Sequence, residues 1–170
     1  GYYSEMAALE GLAGIAIVCS PPNMAPFGAK AAGLHNSPIA ISVPAGRRPP
    51  VTLDMATSVA AGGKLTLASD KGIPLGDALS LDQDGNPTTD PEAAKILVPA
   101  GGPKGSGLAF MFQCLTSLMA GNPLLAPVLA GAKKAHSQNS VVAAVDISLF
   151  TDLEDYGESV DTLVDCLSTL

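Results

Sequence analysis

The order of the apolar segments constrains the fold of this 170-residue chain more than any other feature. Short apolar runs at 13–20, 38–44 and 51–55 predict strands, and the loops between them are rich in proline and glycine. A doubly wound nucleotide-binding sheet alternates strands with helices and carries a G-x-G-x-x-G turn, a pattern that this sequence lacks. We therefore expect an α+β fold that is not Rossmann-like, with a mainly antiparallel, mixed sheet and helices packed on it.

Apolar residues at helical spacing predict four helices, and one further strand is predicted at 140–150. The predicted helices span residues 2–12, 56–72, 106–120 and 157–170. The second should be capped near Thr57 and Ser58 and should end at Gly72. Its Gly62–Gly63 pair costs about 2 kcal/mol of helix propensity, so we expect a neighbour that requires the small volume there.

The composition is that of a globular protein with a real core, because 47% of the residues are hydrophobic and 15% are charged. Sixteen acidic and nine basic residues give a formal net charge of −7. This balance argues against a nucleic-acid surface and against binding to anionic membranes. The apolar runs also fall short of the roughly 18 residues that a membrane-spanning helix needs. We therefore expect neither nucleic acid nor membrane among the partners.

The residues that bind metals elsewhere do not form a metal motif here. The chain has three widely spaced cysteines and no C-x-x-C motif: Cys19, Cys114 and Cys166. That pattern predicts neither a zinc site nor a disulfide, and it favours a reducing cytoplasm. The turn-rich segment 74–91 contains DQDGN, which resembles the start of a calcium loop, but Pro87 replaces the required glycine and Ala93 the required glutamate. We interpret this segment as a solvated turn and expect no metal.

The stretch PAGGPKGSGLAFMFQC, residues 99–114, places glycines and one lysine before an apolar helix. Glycines, a lysine and the free N–H groups of a helix start together favour an anion-binding site. The P-loop pattern fails because Gly105 follows Lys104, and the dinucleotide pattern fails because Phe110 takes the place of its third glycine. On these residues alone, an anion site and an ordinary glycine-rich loop with a solvated lysine both remain open.

Five segments, in order, resemble the type-2 malate/L-lactate dehydrogenases and their relatives that act on ureidoglycolate, sulfolactate and cyclic imino acids. The segments are GYYSEMAALEGLAGIAIVCSPPNMAPFGAK (1–30), NSPIAISVP (36–44), LDMATSVAAGGK (53–64), DGNPTTDP (84–91) and PAGGPKGSGLAFMFQ (99–113). The resemblance implies an NAD(P)-dependent oxidoreductase whose cofactor domain is not Rossmann-like. It also implies a small carboxylate substrate, either a 2-hydroxy acid/2-oxo acid pair or a cyclic imine carboxylate, and a homodimer.

The resemblance also implies which residues form the site. Cofactor contacts are expected from Ser20, Asp54, Met55, Ala56, Thr57, Ser58, Pro103 and Lys104. The alternative for Thr57 and Ser58 is a plain helix cap. The resemblance implies substrate contacts from His35, which stands where the family usually has threonine, and from Asn36. The alternative for His35 is a partly exposed loop histidine without a role, and His136, in a polar loop, has no assigned role.

The family's proton-donor histidine and substrate-binding arginine are expected N-terminal to Gly1, so we assign no catalytic residue to this chain. We expect residues 1–170 to be a single NAD(P)-binding domain of a longer enzyme, truncated at both ends and inactive by itself. A non-catalytic assembly module is the alternative. The choice between NAD and NADP stays open, because Arg47 and Arg48 suit either a 2′-phosphate clamp or a solvated turn.

Overall fold

The computed structural model describes residues 1–123 and 138–170, so His136 lies outside the described residues. The helices are α1 (Tyr2–Leu9), α2 (Gly62–Lys71), α3 (Pro103–Gln113) and α4 (Leu153–Ser168). A π-helical turn, Cys114–Leu118, continues α3, and a 3₁₀ turn, Ile147–Leu149, precedes α4. The strands are β1 (Leu12–Cys19), β2 (Ile39–Val43), β3 (Val51–Met55), β4 (Ser80–Leu81), β5 (Pro87–Thr88), β6 (Ile96–Leu97) and β7 (Asn139–Asp146).

The strands form two sheets, which confirms the predicted α+β class. One sheet has the order β3-β2-β1-β7, and the β1–β2 and β2–β3 pairs are antiparallel. A smaller sheet has the order β5-β4-β6, and both of its pairs are antiparallel. The chain divides into two compact units, the first made of residues 1–17, 39–55 and 141–170 and the second of residues 18–38 and 56–140.

In the first unit, helix α1 approaches the sheet closely enough to exclude a side chain at Gly14. A Cβ at that position would lie 2.8 Å from the carbonyl carbon of Ser4 and would overlap its oxygen. The hydroxyl groups of Ser4 and Ser42 lie 2.8 Å apart, and that of Ser42 lies 2.8 Å from Thr52 Oγ1. Small residues and mutually bonded hydroxyls therefore replace large apolar side chains where α1 meets the sheet.

Helix α4 closes the first unit against the turn between β2 and β3. Asp152 caps its start by accepting the N–H groups of Glu154 and Asp155 at 2.9 and 3.1 Å, so the helix begins four residues before the predicted position. The buried carboxylate of Asp161 accepts the N–H of Arg47 at 2.7 Å. The guanidinium groups of Arg47 and Arg48 both pair with Asp165. Both guanidinium groups therefore have a carboxylate partner on α4.

The core of the second unit is a small apolar cluster. Met24, Leu34, Leu97 and Ala109 are buried together, and Leu65 of α2 packs against them. Main-chain bonds hold the same segments, because the N–H of Met24 donates to the Leu34 oxygen at 2.9 Å and the N–H of Leu34 donates to the Met24 oxygen at 3.1 Å. The cluster therefore packs α2, through Leu65, and α3, through Ala109, against the segments that contain Met24 and Leu97.

The predicted start and N-cap of α2 are wrong. Helix α2 begins at Gly62 with Ala61 as its N-cap, so Thr57 and Ser58 do not cap it; it does end at Gly72. A Cβ at Gly62 or Gly63 would meet no atom within 4 Å, so no neighbour in the described chain requires their small volume.

Helix α3 begins at Pro103 rather than at residue 106. Proline is favoured in the first turn of a helix, because its missing N–H has no intrahelical partner there anyway. The lysine of the glycine-rich stretch is therefore part of the helix and not of the loop before it.

The segment around Asp82 is a tight polar turn, as its sequence predicts. The carboxylate of Asp82 accepts the N–H groups of Asp84 and Asn86, each at 2.9 Å. The bond from the backbone of Asn86 contributes most to a pKa of Asp82 that lies below its ordinary value. No helix in the described ranges combines the length and the apolar character needed to cross a membrane.

Candidate functional site

The candidate site lies at the start of α3, where the main chain satisfies its own N–H groups. The N–H of Gly105 donates to the Ala100 oxygen at 2.8 Å, and that of Lys104 donates to the Gly101 oxygen at 3.3 Å. Pro103 has no N–H to offer. An anion at this position would therefore be attracted by the exposed ammonium group of Lys104 and by the helix dipole, and not by those N–H groups.

Two glycines shape the turn before α3. Gly101 and Gly102 have φ values of 59° and 58°, in the region that residues with a Cβ seldom adopt. The stem of Lys104 lies beside Gly101, with Cδ 3.6 Å from the position of a Cβ there. The stem of Lys104 therefore packs against the main chain of the preceding turn, while the residue stays exposed.

The buried Gly105 lets α3 touch the segment that precedes α2. A Cβ on Gly105 would lie 2.6 Å from the Ala100 oxygen and would overlap the Thr57 oxygen. The N–H of Ala100 donates to the same Thr57 oxygen at 2.8 Å. Residues that are almost 50 positions apart in sequence are therefore held in main-chain contact.

The segment at Thr57 and Ser58 is also bonded to Asn36. The N–H of Thr57 donates to the Asn36 oxygen at 3.0 Å, and Asn36 Nδ2 donates to Ser58 Oγ at 3.2 Å. Ser58 Oγ in turn donates to the Ala60 oxygen at 2.7 Å. A bridge between Ser58 and Pro99 joins this segment to the glycine-rich turn. The structure thus brings together Asn36, Ser58 and the turn at Lys104, which the sequence predicted separately.

The hydroxyl of Thr57 is the unsatisfied polar group of this cluster. Thr57 is fully buried, and its Oγ1 finds no hydrogen-bond partner within residues 1–123 and 138–170. An unsatisfied buried hydroxyl costs about 1–3 kcal/mol. The main chain of Thr57 is held by hydrogen bonds to Asn36 and Ala100, while its hydroxyl has no partner among the described residues.

The other predicted site residues occupy different places. His35 is partly buried, and its Nδ1 lies 3.4 Å from the hydroxyl of Ser37. Ser20 and Ala56 are partly buried in the second unit. Asp54 and Met55 are the last two residues of β3 in the first unit, where both are exposed.

Asn23 and Phe27 belong to this region but were not predicted from the sequence. Asn23 and Asn36 form a reciprocal pair, in which Asn23 Nδ2 donates to Asn36 Oδ1 at 3.0 Å and the Asn36 N–H donates to Asn23 Oδ1 at 2.9 Å. The N–H of Phe27 donates to Ser106 Oγ at 3.1 Å. Both residues lie in the loop PPNMAPF, whose breakers identify a loop but do not reveal which side chains it fixes.

Elsewhere, the described residues offer less to an anionic ligand. A cleft of about 640 Å³ in the first unit is lined by Glu154, Glu158 and Asp161, with Arg47 at its edge. That guanidinium group already pairs with Asp165, so the cleft is acidic and does not suit a phosphate. In residues 1–123 and 138–170, side chains of His, Cys, Asp and Glu form no group of three that would hold a metal ion.

Comparison with known proteins shows one consistent set of relatives. Sulfolactate dehydrogenase from Methanocaldococcus jannaschii has a similar structure, with a TM-score of 0.81 and 36% identity over 97% of this chain and 48% of that chain. Ureidoglycolate dehydrogenase (NAD(+)) of Escherichia coli O157:H7 is 38% identical over 72% of this chain and 35% of its own length. (2R)-3-sulfolactate dehydrogenase (NADP(+)) of Chromohalobacter salexigens is 40% identical over 69% and 36%, respectively.

Each match covers a larger share of this chain than of the relative. The chain spans about half the length of the curated relatives that it matches over nearly all of its own length. The profile of the malate/L-lactate dehydrogenases matches residues 1–170. The glycine-rich turn, the segment before α2 and the antiparallel sheet are therefore features of a chain that belongs to the malate/L-lactate dehydrogenase family.

Proposed function

We propose that this chain is the NAD(P)-binding part of an oxidoreductase that transfers a hydride between a nicotinamide dinucleotide and a 2-hydroxy acid or its 2-oxo counterpart. The contact between Gly105 and the Thr57 carbonyl carries this proposal, because it joins the two segments that the family resemblance assigns to one cofactor. Family membership supports the reaction class. A bound nicotinamide would accept or supply the hydride, and the protein would position it.

The residues of the cluster fit a dinucleotide in distinct ways. The exposed ammonium group of Lys104 neutralises phosphate charge. The Thr57 hydroxyl, which lacks a partner in the described chain, donates to a ligand oxygen. Ser58 and Asn36 hold the main chain of Thr57 in place through their hydrogen bonds.

The remaining predicted residues keep narrower proposed roles. Pro103 starts α3 and thereby places the lysine in its first turn. Ser20, Asp54, Met55 and Ala56 are proposed as further cofactor contacts. His35 is proposed to donate to the substrate carboxylate or to act as an acid, since imidazole changes its charge near neutral pH.

The rest of the proposal concerns the whole protein. We infer that the chain works within a longer enzyme and that this enzyme is a homodimer. The large side chains exposed on α1, which include Tyr2, Tyr3 and Met6, support such association. The three free thiols suit a reducing compartment, so the cytoplasm remains our proposed location.

Titration of the 170-residue chain with NADH and with NADPH tests the proposal. Nicotinamide fluorescence should rise on binding and should give a saturable curve for at least one of the two cofactors. The ratio of the two dissociation constants settles the preference, on which the names of the relatives differ. Binding of ATP and inorganic pyrophosphate as tightly as NADH and NADPH would contradict the proposal, because it would mark a general phosphate site.

A further inference from the structure

An exposed aromatic ring stands beside the glycine turn that precedes α3. A Cβ at Gly102 would lie 2.9 Å from Phe27 Cε2 and 3.1 Å from its Cδ2, so the ring lies directly against the backbone of that glycine. The N–H of Phe27 donates to Ser106 Oγ, which anchors the residue to the first turns of α3. The side chain nevertheless remains 64% exposed.

The ring and the lysine approach neighbouring glycines of the same short turn. The stem of Lys104 packs beside Gly101, and the ring of Phe27 packs beside Gly102. Because adjacent Cα atoms are only about 3.8 Å apart, the stem of an exposed lysine and an exposed aromatic ring lie beside neighbouring residues of one turn. A nucleotide presents the matching chemistry, a phosphate group close to a planar heteroaromatic ring.

We propose that Phe27 contacts the ligand, stacking its ring on one of the two heteroaromatic rings of the dinucleotide. This inference rests on the proposed function and adds a residue that the sequence did not single out. A phenyl ring stacks on a heteroaromatic ring in an offset arrangement, without needing a hydrogen bond to identify it. The bond to Ser106 places the ring before the ligand arrives, so little conformational freedom is lost on binding.

Gly102 contributes to the placement of Phe27 beside the turn. With φ at 58°, the position disfavours any residue with a Cβ, and a Cβ there would also push against the ring. The glycine thus allows the turn and leaves space beside the backbone for the Cδ2–Cε2 edge of Phe27. One edge of the Phe27 ring lies against Gly102, and most of the side chain remains exposed.

The test compares three substitutions at Phe27 by titration with NADH and NADPH. Phe27→Ala should raise the dissociation constant roughly 5- to 150-fold, the range for removing one aromatic–base stack. Phe27→Leu should also weaken binding, because it keeps apolar bulk but lacks the flat face. Phe27→Tyr should bind almost as the starting protein does. Circular dichroism should show the same fold for all three, because so exposed a side chain leaves no cavity when removed.

Phe110→Ala is the matched control. Phe110 is also an exposed phenylalanine, at 57%, but it lies on α3 about 10 Å along the helix axis from Pro103. This substitution should not change the affinity. ADP-ribose and reduced nicotinamide mononucleotide identify the stacked ring, because each carries only one of the two. If the starting protein binds the dinucleotide and Phe27→Ala and Phe27→Leu bind it equally well, this inference is overturned while the proposed function stands. If the starting protein binds neither NADH nor NADPH, both are overturned.

Discussion

A side chain at Gly105 would occupy the place of the Thr57 carbonyl oxygen, which makes this glycine the point where α3 meets the segment before α2. The same oxygen accepts the N–H of Ala100 at 2.8 Å, so it cannot move aside without breaking a bond. Backbone atoms, and not flexible side chains, surround the position. The contact is therefore intolerant of substitution and can be tested directly.

Gly105→Ala should lower the free energy of unfolding by about 1–3 kcal/mol, as other overpacked sites do. Gly107→Ala is the matched control two residues along the same helix, because a Cβ there would meet nothing within 4 Å. It should raise the free energy of unfolding by about 0.5–1 kcal/mol, since alanine is the better helix former. Urea denaturation measures both changes, and equal effects of the two substitutions would contradict the described packing.

Lys104→Ala should weaken NAD(P)H binding without unfolding the protein. A charge-assisted contact to phosphate is worth about 1.5–3 kcal/mol, which corresponds to about 10- to 150-fold in the dissociation constant. The loss should shrink at high salt, because an exposed lysine–phosphate pair is screened. Lys71→Ala, at the exposed end of α2, is the control and should bind as the starting protein does. Unchanged affinity in both variants would mean that Lys104 does not contact the cofactor.

Thr57→Val should stabilise the protein in the absence of ligand. It removes a buried hydroxyl that has no partner in the described chain, so the free energy of unfolding should rise by about 1–3 kcal/mol. The same change should weaken cofactor binding, because the proposed donor is lost.

Thr116→Val provides the contrast for Thr57→Val. The hydroxyl of this buried threonine donates to the Phe112 oxygen at 2.7 Å. Its loss should therefore destabilise the protein by about 0.5–1.5 kcal/mol, the opposite sign. Destabilisation by both substitutions in thermal unfolding would show that the Thr57 hydroxyl has a partner after all.

The two aspartates of α4 that meet Arg47 and Arg48 should differ in importance. Asp161 is 2% exposed and Asp165 is 45% exposed. Asp161→Ala should cost about 3–5 kcal/mol, because it breaks a buried ionic contact and leaves the Arg47 N–H without its acceptor. Asp165→Ala should cost about 0–1 kcal/mol, as exposed ion pairs do. Urea denaturation of the two variants compares them, and a similar loss in both would refute the ranking.

Acid should weaken the turn at Asp82. The pKa of this carboxyl lies below its ordinary value of 3.8, chiefly because the backbone of Asn86 donates to the charged form. A depressed pKa in the folded protein means that the contribution of the group to stability is complete above 3.8 and is lost as the pH falls through the lower folded value. NMR titration of the Asp82 side chain should show a midpoint below 3.8; a midpoint at or above it would contradict the hydrogen bonding described.

Local patterns predicted the elements whose boundaries depend on local residues. Strands β1 to β3 lie where their apolar runs and flanking breakers placed them, and α2 ends at Gly72 as expected. The prediction placed the start of α3 at residue 106, whereas the helix begins at Pro103, because proline suits a first helical turn. The short strand β6 has only two residues, too few to show a period.

Residues whose partners are distant in sequence could not be predicted in this way. Ser58 has the chemistry of a helix cap, but its hydroxyl bonds to Ala60 and accepts from Asn36 instead. Asn23 and Asn36 are 13 residues apart, and nothing in either local pattern reveals their pairing. The candidate cofactor residues came from the family resemblance, whereas the contact that joins them came from the structure.

The ion pair between Arg47, in the β2–β3 turn, and Asp165 of α4 joins residues 118 positions apart. This separation matters while the chain is being synthesised. Strands β1 to β3 are made before the intervening residues of the second unit, and β7 and α4, which complete their own unit, follow only after those residues. At about 5–20 residues per second, the nascent sheet waits on the order of 5–20 s with the edge of β1 unpaired. An open strand edge is a template for pairing with other chains. The ribosome-bound intermediate therefore exposes a strand edge that β7 covers in the folded unit.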